Sequence, residues 1–211
     1  PPGFMWKWIP ENGSNNHQLN DPYNRFLHLI LFLSNGHQLA LSDTRKFAKV
    51  ELLDSRSLDD HPSLKILGPE PLDKNFTYNI LQNQLNKKPG WPIKQALMNQ
   101  ELIAGIGNIY SDEILWEASV HPLQKIASIS DAEIKKMYVA MQNILQQSIK
   151  LGGDSVSDYR NIHGERGGFQ NIHKVYRKTG ENCSKKGCIG KIQRIKVAGR
   201  SAHFCSEHQK A

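Results

Sequence analysis

The sequence predicts an α+β protein in three parts: a partial N-terminal β-sandwich over residues 1–66, a helical region over 67–160, and a segment over 161–211 closed by a metal-bound β-hairpin. Three observations carry that prediction. Apolar residues first alternate singly, then recur at helical spacing after a Gly-Pro linker, and finally give way to a basic stretch holding all three cysteines. With 211 residues and 38% apolar content, the chain can bury one large core or two to three small ones.

Residues 9–25, rich in Asn, Pro and Gly, read as a long exposed loop. Alternation at 26–33, the turn Ser34-Asn35-Gly36-His37 and residues 38–41 read as strand, turn, strand, and residues 47–53 as a third strand. So few strands do not close a core by themselves, which predicts further β structure upstream. Leu67-Gly68-Pro69-Glu70-Pro71-Leu72 reads as a rigid linker. Helices are expected at 78–87, 93–100, 108–118 and 131–150. The last places Ile134, Met137, Met141, Ile144, Leu145 and Ile149 on one face, with Ser130 and Glu133 as a capping box and Gly152-Gly153 as a stop. No apolar run approaches the roughly 20 residues of a membrane-spanning helix. No signal or targeting segment is visible, which points to the cytoplasm.

The net charge of +7 is unevenly placed. Residues 161–211 carry 11 Lys and Arg against 3 Asp and Glu, whereas residues 1–160 carry 16 against 17. A near-neutral body with a concentrated basic end fits a partner that presents phosphates, since each cation placed on a phosphate releases counterions; a solvated basic tail has the same composition.

Cys183 and Cys188, sixteen intervening residues, then Cys205 and His208 have the spacing of a zinc ribbon, in which two knuckles are joined by a hairpin. Three thiolates and one imidazole fill the tetrahedral shell of a single Zn²⁺ and leave no position for water, so the site is expected to be structural. His203 falls within the preceding strand, which favours His208 as fourth ligand. Residues 191–198 and 201–204 read as the two strands, and Gly199-Arg200 as a turn that presents Arg200 on a stiff tip suited to gripping phosphates. The stretch Leu102-Ile103-Ala104-Gly105-Ile106-Gly107-Asn108 joins two helices through two glycines. It sets Asn108 and free backbone N–H groups at a helix entrance, a ready anion site.

Taken with the ribbon, these motifs resemble the formamidopyrimidine-DNA glycosylase and endonuclease VIII family of base-excision repair enzymes, in its formamidopyrimidine (8-oxoguanine) branch. The resemblance runs from Phe26 onward. It is most specific at Ile93-Lys94-Gln95-Ala96-Leu97-Met98-Asn99-Gln100, at Ala104-Gly105-Ile106-Gly107-Asn108-Ile109-Tyr110-Ser111-Asp112-Glu113, and at Gly199-Arg200-Ser201-Ala202-His203-Phe204-Cys205. It implies a helix-two-turn-helix domain at 67–160, and Lys94, Asn108 and Arg200 on the phosphates that flank an extruded nucleotide. Asp43-Thr44-Arg45-Lys46-Phe47 resembles the loop that fills the gap in the duplex, which implies Arg45 and Phe47 as wedge residues; residues 153–170 would cover the flipped lesion. The partner implied is damaged double-stranded DNA, the cofactor one structural Zn²⁺, and the acting species a nucleoid-associated monomer.

The implied chemistry is a glycosylase with abasic-site lyase activity on oxidised purines. It uses an N-terminal proline amine as nucleophile, the acidic residue after it, and a lysine on an early β-turn. Pro1-Pro2-Gly3-Phe4 lacks the acidic neighbour, so Pro1 reads as a truncation edge and the chain is expected to bind DNA without cutting it. The finger departs from a pattern of two Cys-x-x-Cys pairs by its longer first knuckle and by His208. A non-catalytic zinc-ribbon module that binds nucleic acid remains the alternative, with a zinc-stapled protein-interaction domain behind it.

Overall fold

The computed structural model describes residues 4–10, 22–156, 159–161 and 165–210. They form two compact units, one from residues 1–52 with 148–172 and the other from 53–147 with 173–211.

In the first unit, β1 (Phe4–Pro10), β2 (Leu27–Phe32) and β3 (His37–Asp43) make an antiparallel sheet in the order β1-β3-β2. β3 pairs on one side from Phe4↔Asp43 to Pro10↔His37, and on the other from Leu27↔Ser42 to Phe32↔Gln38 with one bulge. Gly36 turns the β2–β3 hairpin at φ 79°, and the Asn35 carboxamide accepts the His37 N–H. Residues 47–53, expected as a strand, do not form one; Phe4–Pro10 supplies the third strand. The reason lies at Asp43, whose carboxylate accepts the N–H groups of Arg45 and Ala48 and so folds the chain out of the ladder, leaving Val50 and Leu52 exposed. Of the loop expected at 9–25, Ile9 and Pro10 complete β1 and Pro22–Phe26 make a 3-10 turn. Residues 11–21 lie outside the described residues, as do Pro1, Pro2 and Gly3.

The second unit begins with a 3-10 turn (Ser55–Asp60) and a single α turn, α1 (Pro62–Lys65), followed by α2 (Tyr78–Asn86), α3 (Ile93–Leu97), α4 (Asn108–Ala118) and α5 (Asp131–Lys150). Thr77 caps α2 through the Ile80 N–H. Ser130 and Glu133 cap α5 reciprocally, since Glu133 Oε2 accepts the Ser130 N–H and Ser130 Oγ accepts the Glu133 N–H. Ile134, Met137 and Met141 enter a core with Leu81, Leu85, Ile93, Leu97, Ile103, Ile106 and Ile114, while Ile144 and Leu145 pack at its edge. Ile149 departs from the expected apolar face and is exposed. α3 stops three residues short of the expected end because Asn99 Oδ1 takes the N–H groups of Glu101 and Leu102 and starts a turn. The chain ends in a two-stranded hairpin, β4 (Ile192–Val197) and β5 (Arg200–Cys205). No helix among the described residues is long and apolar enough to cross a membrane.

The linker at 67–72 is fastened to the helical unit at Gly68, whose N–H donates to Gln100 O at 2.8 Å, and at Pro69, whose carbonyl accepts the Ala104 N–H at 3.1 Å. A Cβ on Gly68 would lie 2.5 Å from the Leu102 carbonyl carbon, a backbone atom that does not yield. Gly68→Ala is therefore expected to lower stability by about 1–3 kcal/mol, read as an earlier urea midpoint with an unchanged slope.

Candidate nucleic-acid interface and metal centre

The connection from α3 to α4 is built around Gln100. Its Oε1 accepts the Gly105 N–H and its Nε2 donates to Ile106 O, each at 2.8 Å, while Gly105 takes φ 83°. This clasp delivers the chain to Gly107, which precedes α4 and offers no side-chain cap, so Asn108 opens the helix. The Asn108 Oδ1 is buried and has no hydrogen-bond partner. An unpaired buried acceptor is unfavourable unless a further partner fills it.

Lys94, expected at a phosphate, is placed elsewhere: it is fully buried. Its ammonium donates to the Asp112 carboxylate, to Ser111 Oγ at 3.0 Å and to the Asn108 carbonyl at 3.3 Å, which uses all three N–H bonds. Burial pushes the Lys94 ammonium below its usual range, and Asp112 opposes that shift. The second Asp112 oxygen accepts the His203 backbone N–H at 3.0 Å and its ring Nδ1 at 2.9 Å. His203 is thereby engaged by α4 and takes no part in the cysteine cluster. Glu113, one residue on, accepts the N–H groups of Lys174, Val175 and Tyr176. Two adjacent buried carboxylates on α4 thus tie down the segment at 174–176 and strand β5. The only sequence signal for them was an adjacent acid pair just ahead of the apolar run Ile114-Leu115-Trp116.

Cys183, Cys188, Cys205 and His208 converge as expected, their donor atoms all within 4.8 Å of one another. Cys188 Sγ lies 3.5 Å from Cys205 Sγ, and His208 Nδ1 lies 3.6 Å from both Cys183 Sγ and Cys188 Sγ. Each sulfur receives an N–H: Trp116 Nε1 at Cys183, Gly190 at Cys188 and Glu207 at Cys205. With Nδ1 turned to the sulfurs, His208 Nε2 carries the proton and donates to Trp116 O at 3.2 Å, the kind of outer contact that fixes a ligand ring. A Cβ on Gly190 would stand 2.7 Å from Cys205 Sγ, so only glycine permits this knuckle. The donor set and its spacing fit a tetrahedral metal ion.

Between helix entrance and hairpin lies a cleft of about 490 Å³ lined by Asn108, Tyr176, Arg177, Arg194, Ser201 and His203, with Thr179 at its side. The register pairs Arg194 with His203 and Lys196 with Ser201, so these four share one face of the hairpin. Arg194 donates to Ser201 Oγ at 2.7 Å. Arg200 is exposed at the start of β5, opposite Val197 across the two-residue turn Ala198-Gly199, so alternation puts it on the face of Ala202 and Phe204. The cleft therefore holds Arg194, a cation that the sequence motifs do not single out, while Arg200 stands at the hairpin tip on the other face and does not line the cleft.

In the first unit, the loop after β3 carries Arg45 with its guanidinium 5.3 Å from the centre of the Phe47 ring, and Phe47 is 75% exposed. An aromatic ring held outward on a tight loop is suited to insertion between bases. Bonds from Ala48, Arg45, Phe47 and Lys46 N–H groups hold the Asp43 carboxyl below its usual range. In the described part of 153–170, Ser155 joins both ends of the segment, accepting the Gly167 N–H and donating to Tyr159 O, each at 2.8 Å.

The helix pair, its glycine turn and the Cys₃His hairpin define a helix-two-turn-helix protein with a metal ribbon. Residues 67–160 match the family model described as the formamidopyrimidine-DNA glycosylase H2TH domain. The chain is 41% identical over 189 residues to the formamidopyrimidine-DNA glycosylase of Streptococcus thermophilus, covering 90% of this chain and 68% of that protein. It is 37% identical over 183 residues to that of Ruegeria pomeroyi, covering 87% of this chain and spanning 64% of the relative's length. The solved complex between the Lactococcus lactis Fpg and an abasic-site-containing DNA superposes with a TM-score of 0.84 at 34% identity, over 99% of this chain and 72% of that one. The chain belongs to the formamidopyrimidine-DNA glycosylase family.

Proposed function

We propose that this chain binds damaged duplex DNA as the phosphate-gripping and base-extruding part of a base-excision repair glycosylase. The class of lesion is oxidised purines, formamidopyrimidine and 8-oxoguanine, and the parent activity includes abasic-site cleavage. The observation that carries this reading is the shared cleft: Asn108, with its unpaired buried oxygen, and the ribbon cation Arg194 line one concavity. Hydrogen-bonding polar groups and fixed cations in one groove suit a run of phosphates. Relatives solved with abasic-site DNA and with Fapy-dG-containing DNA support the same ligand class.

In this reading Asn108 and Arg200 meet phosphates beside the extruded nucleotide, and Arg45 and Phe47 enter the duplex to fill the gap. Lys94 serves the same contacts from beneath, by holding the Asn108 carbonyl. Residues 1–66, 67–160 and 161–211 act as a β part, a helix-two-turn-helix part and a lesion-covering and finger part. The metal is zinc: bonds of about 2.3 Å to sulfur and 2.05 Å to nitrogen give tetrahedral edges of about 3.8 and 3.6 Å, close to the 3.5–3.6 Å separations between donors. Its role is structural, holding the hairpin stiff. The protein acts as a monomer in the cytoplasm.

Binding and extrusion are the roles proposed for residues 1–211. Binding to a duplex with a tetrahydrofuran abasic analogue tests the reading by fluorescence anisotropy across salt. Log affinity is expected to fall linearly with log salt, and Arg200→Ala to make the slope shallower by about one. A flat salt response, or equal affinity for any acidic protein, would refute it. Borohydride trapping on an 8-oxoguanine duplex is expected to yield no adduct; a covalent adduct would assign Pro1 as nucleophile. The non-catalytic ribbon module is favoured over the repair reading if intact and abasic duplexes bind equally.

A further inference from the structure

α4 touches both the cleft and the metal centre. Its first residue, Asn108, lines the cleft, and near its end Trp116 donates to Cys183 Sγ and accepts from His208. Between them sits Asp112, a carboxylate only 1% exposed, which cannot meet a ligand itself. One of its oxygens binds the ammonium that holds the Asn108 carbonyl; the other binds the backbone and ring of His203 on the opposite cleft wall. A buried carboxylate is tolerated only where its acceptor sites are filled, and in a low dielectric such bonds are stiff. Three elements, α3, α4 and β5, therefore meet at one side chain.

We infer that Asp112 is a positioning residue that sets the separation between Asn108 and the Arg194–Ser201 wall. The helix entrance and the metal-stiffened hairpin then engage one DNA backbone as a unit. The inference rests on the reading of the cleft as a DNA-backbone site. His203 is its lever on the hairpin: the ring is fixed by Asp112 at Nδ1 and by the Tyr176 ring, edge-on at 5.1 Å. Arg194, the cross-strand neighbour of His203, moves with it. A misplaced wall leaves every side chain present and the grip lost.

The test uses the zinc-loaded chain, a duplex with a tetrahydrofuran abasic analogue, and the variants Asp112→Asn, His203→Ala and Arg194→Ala. His203→Ala removes the ring bond but keeps the backbone bond, so it carries the test if Asp112→Asn does not fold. Either change is expected to weaken binding on the order of tenfold at constant zinc content. Arg194→Ala alone is expected to lower the salt slope by about one, and to lower neither slope nor affinity further when added to Asp112→Asn or His203→Ala. A role in stability alone would leave the effects additive, and additivity overturns the inference. Amide hydrogen exchange without DNA gives an independent readout: residues 108–111 and 201–204 should exchange faster in the variants, with α2 unchanged. Unchanged protection there also overturns it. Failure of the unsubstituted chain to bind DNA would instead defeat the proposed function, and the exchange result would still judge the positioning.

Discussion

Stripping the metal from Cys183, Cys188, Cys205 and His208 is expected to unfold the hairpin and its flanks while the α2–α5 core stays cooperative. The apolar cluster around the hairpin consists of Trp116, Val175, Cys183, Ile192 and Cys205, so two of its five buried members are ligands themselves. A core that small does not offset the chain entropy of ordering the segment. Structural zinc sites contribute on the order of 10–16 kcal/mol of apparent binding energy at neutral pH, and where the folded state alone presents the ligands that energy is folding energy. Without the ion, three sulfurs within 4.8 Å of one another would repel as thiolates. A chelator, or Cys205→Ser, should therefore open residues 173–210 to protease and remove exchange protection from β4 and β5. Full protection in protein shown by elemental analysis to be metal-free would rule out a structural centre.

The second large effect is expected at Lys94. Lys94→Met alone leaves the Asp112 carboxylate buried without its cation, and breaking a buried pair from one side costs about 3–5 kcal/mol. Lys94→Met with Asp112→Asn removes both charges and keeps an acceptor for the His203 N–H, so the double variant should regain most of that loss. Urea midpoints of the three variants decide the matter. A double variant no more stable than Lys94→Met would mean that the loss comes from the missing aliphatic stem or the Asn108 contact, and not from the unpaired charge.

Much of this was legible in the sequence where local chemistry decides structure. The spacing singled out Cys183, Cys188 and Cys205 and ranked His208 over His203 as the fourth donor, and these four converge; the Gly105-Ile106-Gly107-Asn108 turn announced the helix entrance. What was illegible depended on the far side of a contact. The strand expected at 47–53 had the right residue types, yet Asp43 captured the backbone first, and Phe4–Pro10 lay next to β3 through pairs 27 to 39 residues apart in sequence that no local pattern reveals. The family resemblance implied Lys94 as a phosphate ligand; its burial goes with Asp112, eighteen residues away, which no local pattern shows. Arg194 was passed over for the same reason, since only the hairpin register shows which face it shares with His203.

Lys185 gives α4 an electrical asymmetry. Its ammonium donates to the carbonyls of Trp116 and Glu117 at 3.3 and 3.0 Å and to Ser119 Oγ at 2.6 Å, and so neutralises the negative pole of the helix. The peptide dipoles of the eleven residues then present their positive pole, about half an elementary charge, uncompensated at Asn108. Neutralising that lysine by acetylation would dim the attraction felt by an anion at the far end of the helix, without touching a single atom of the groove.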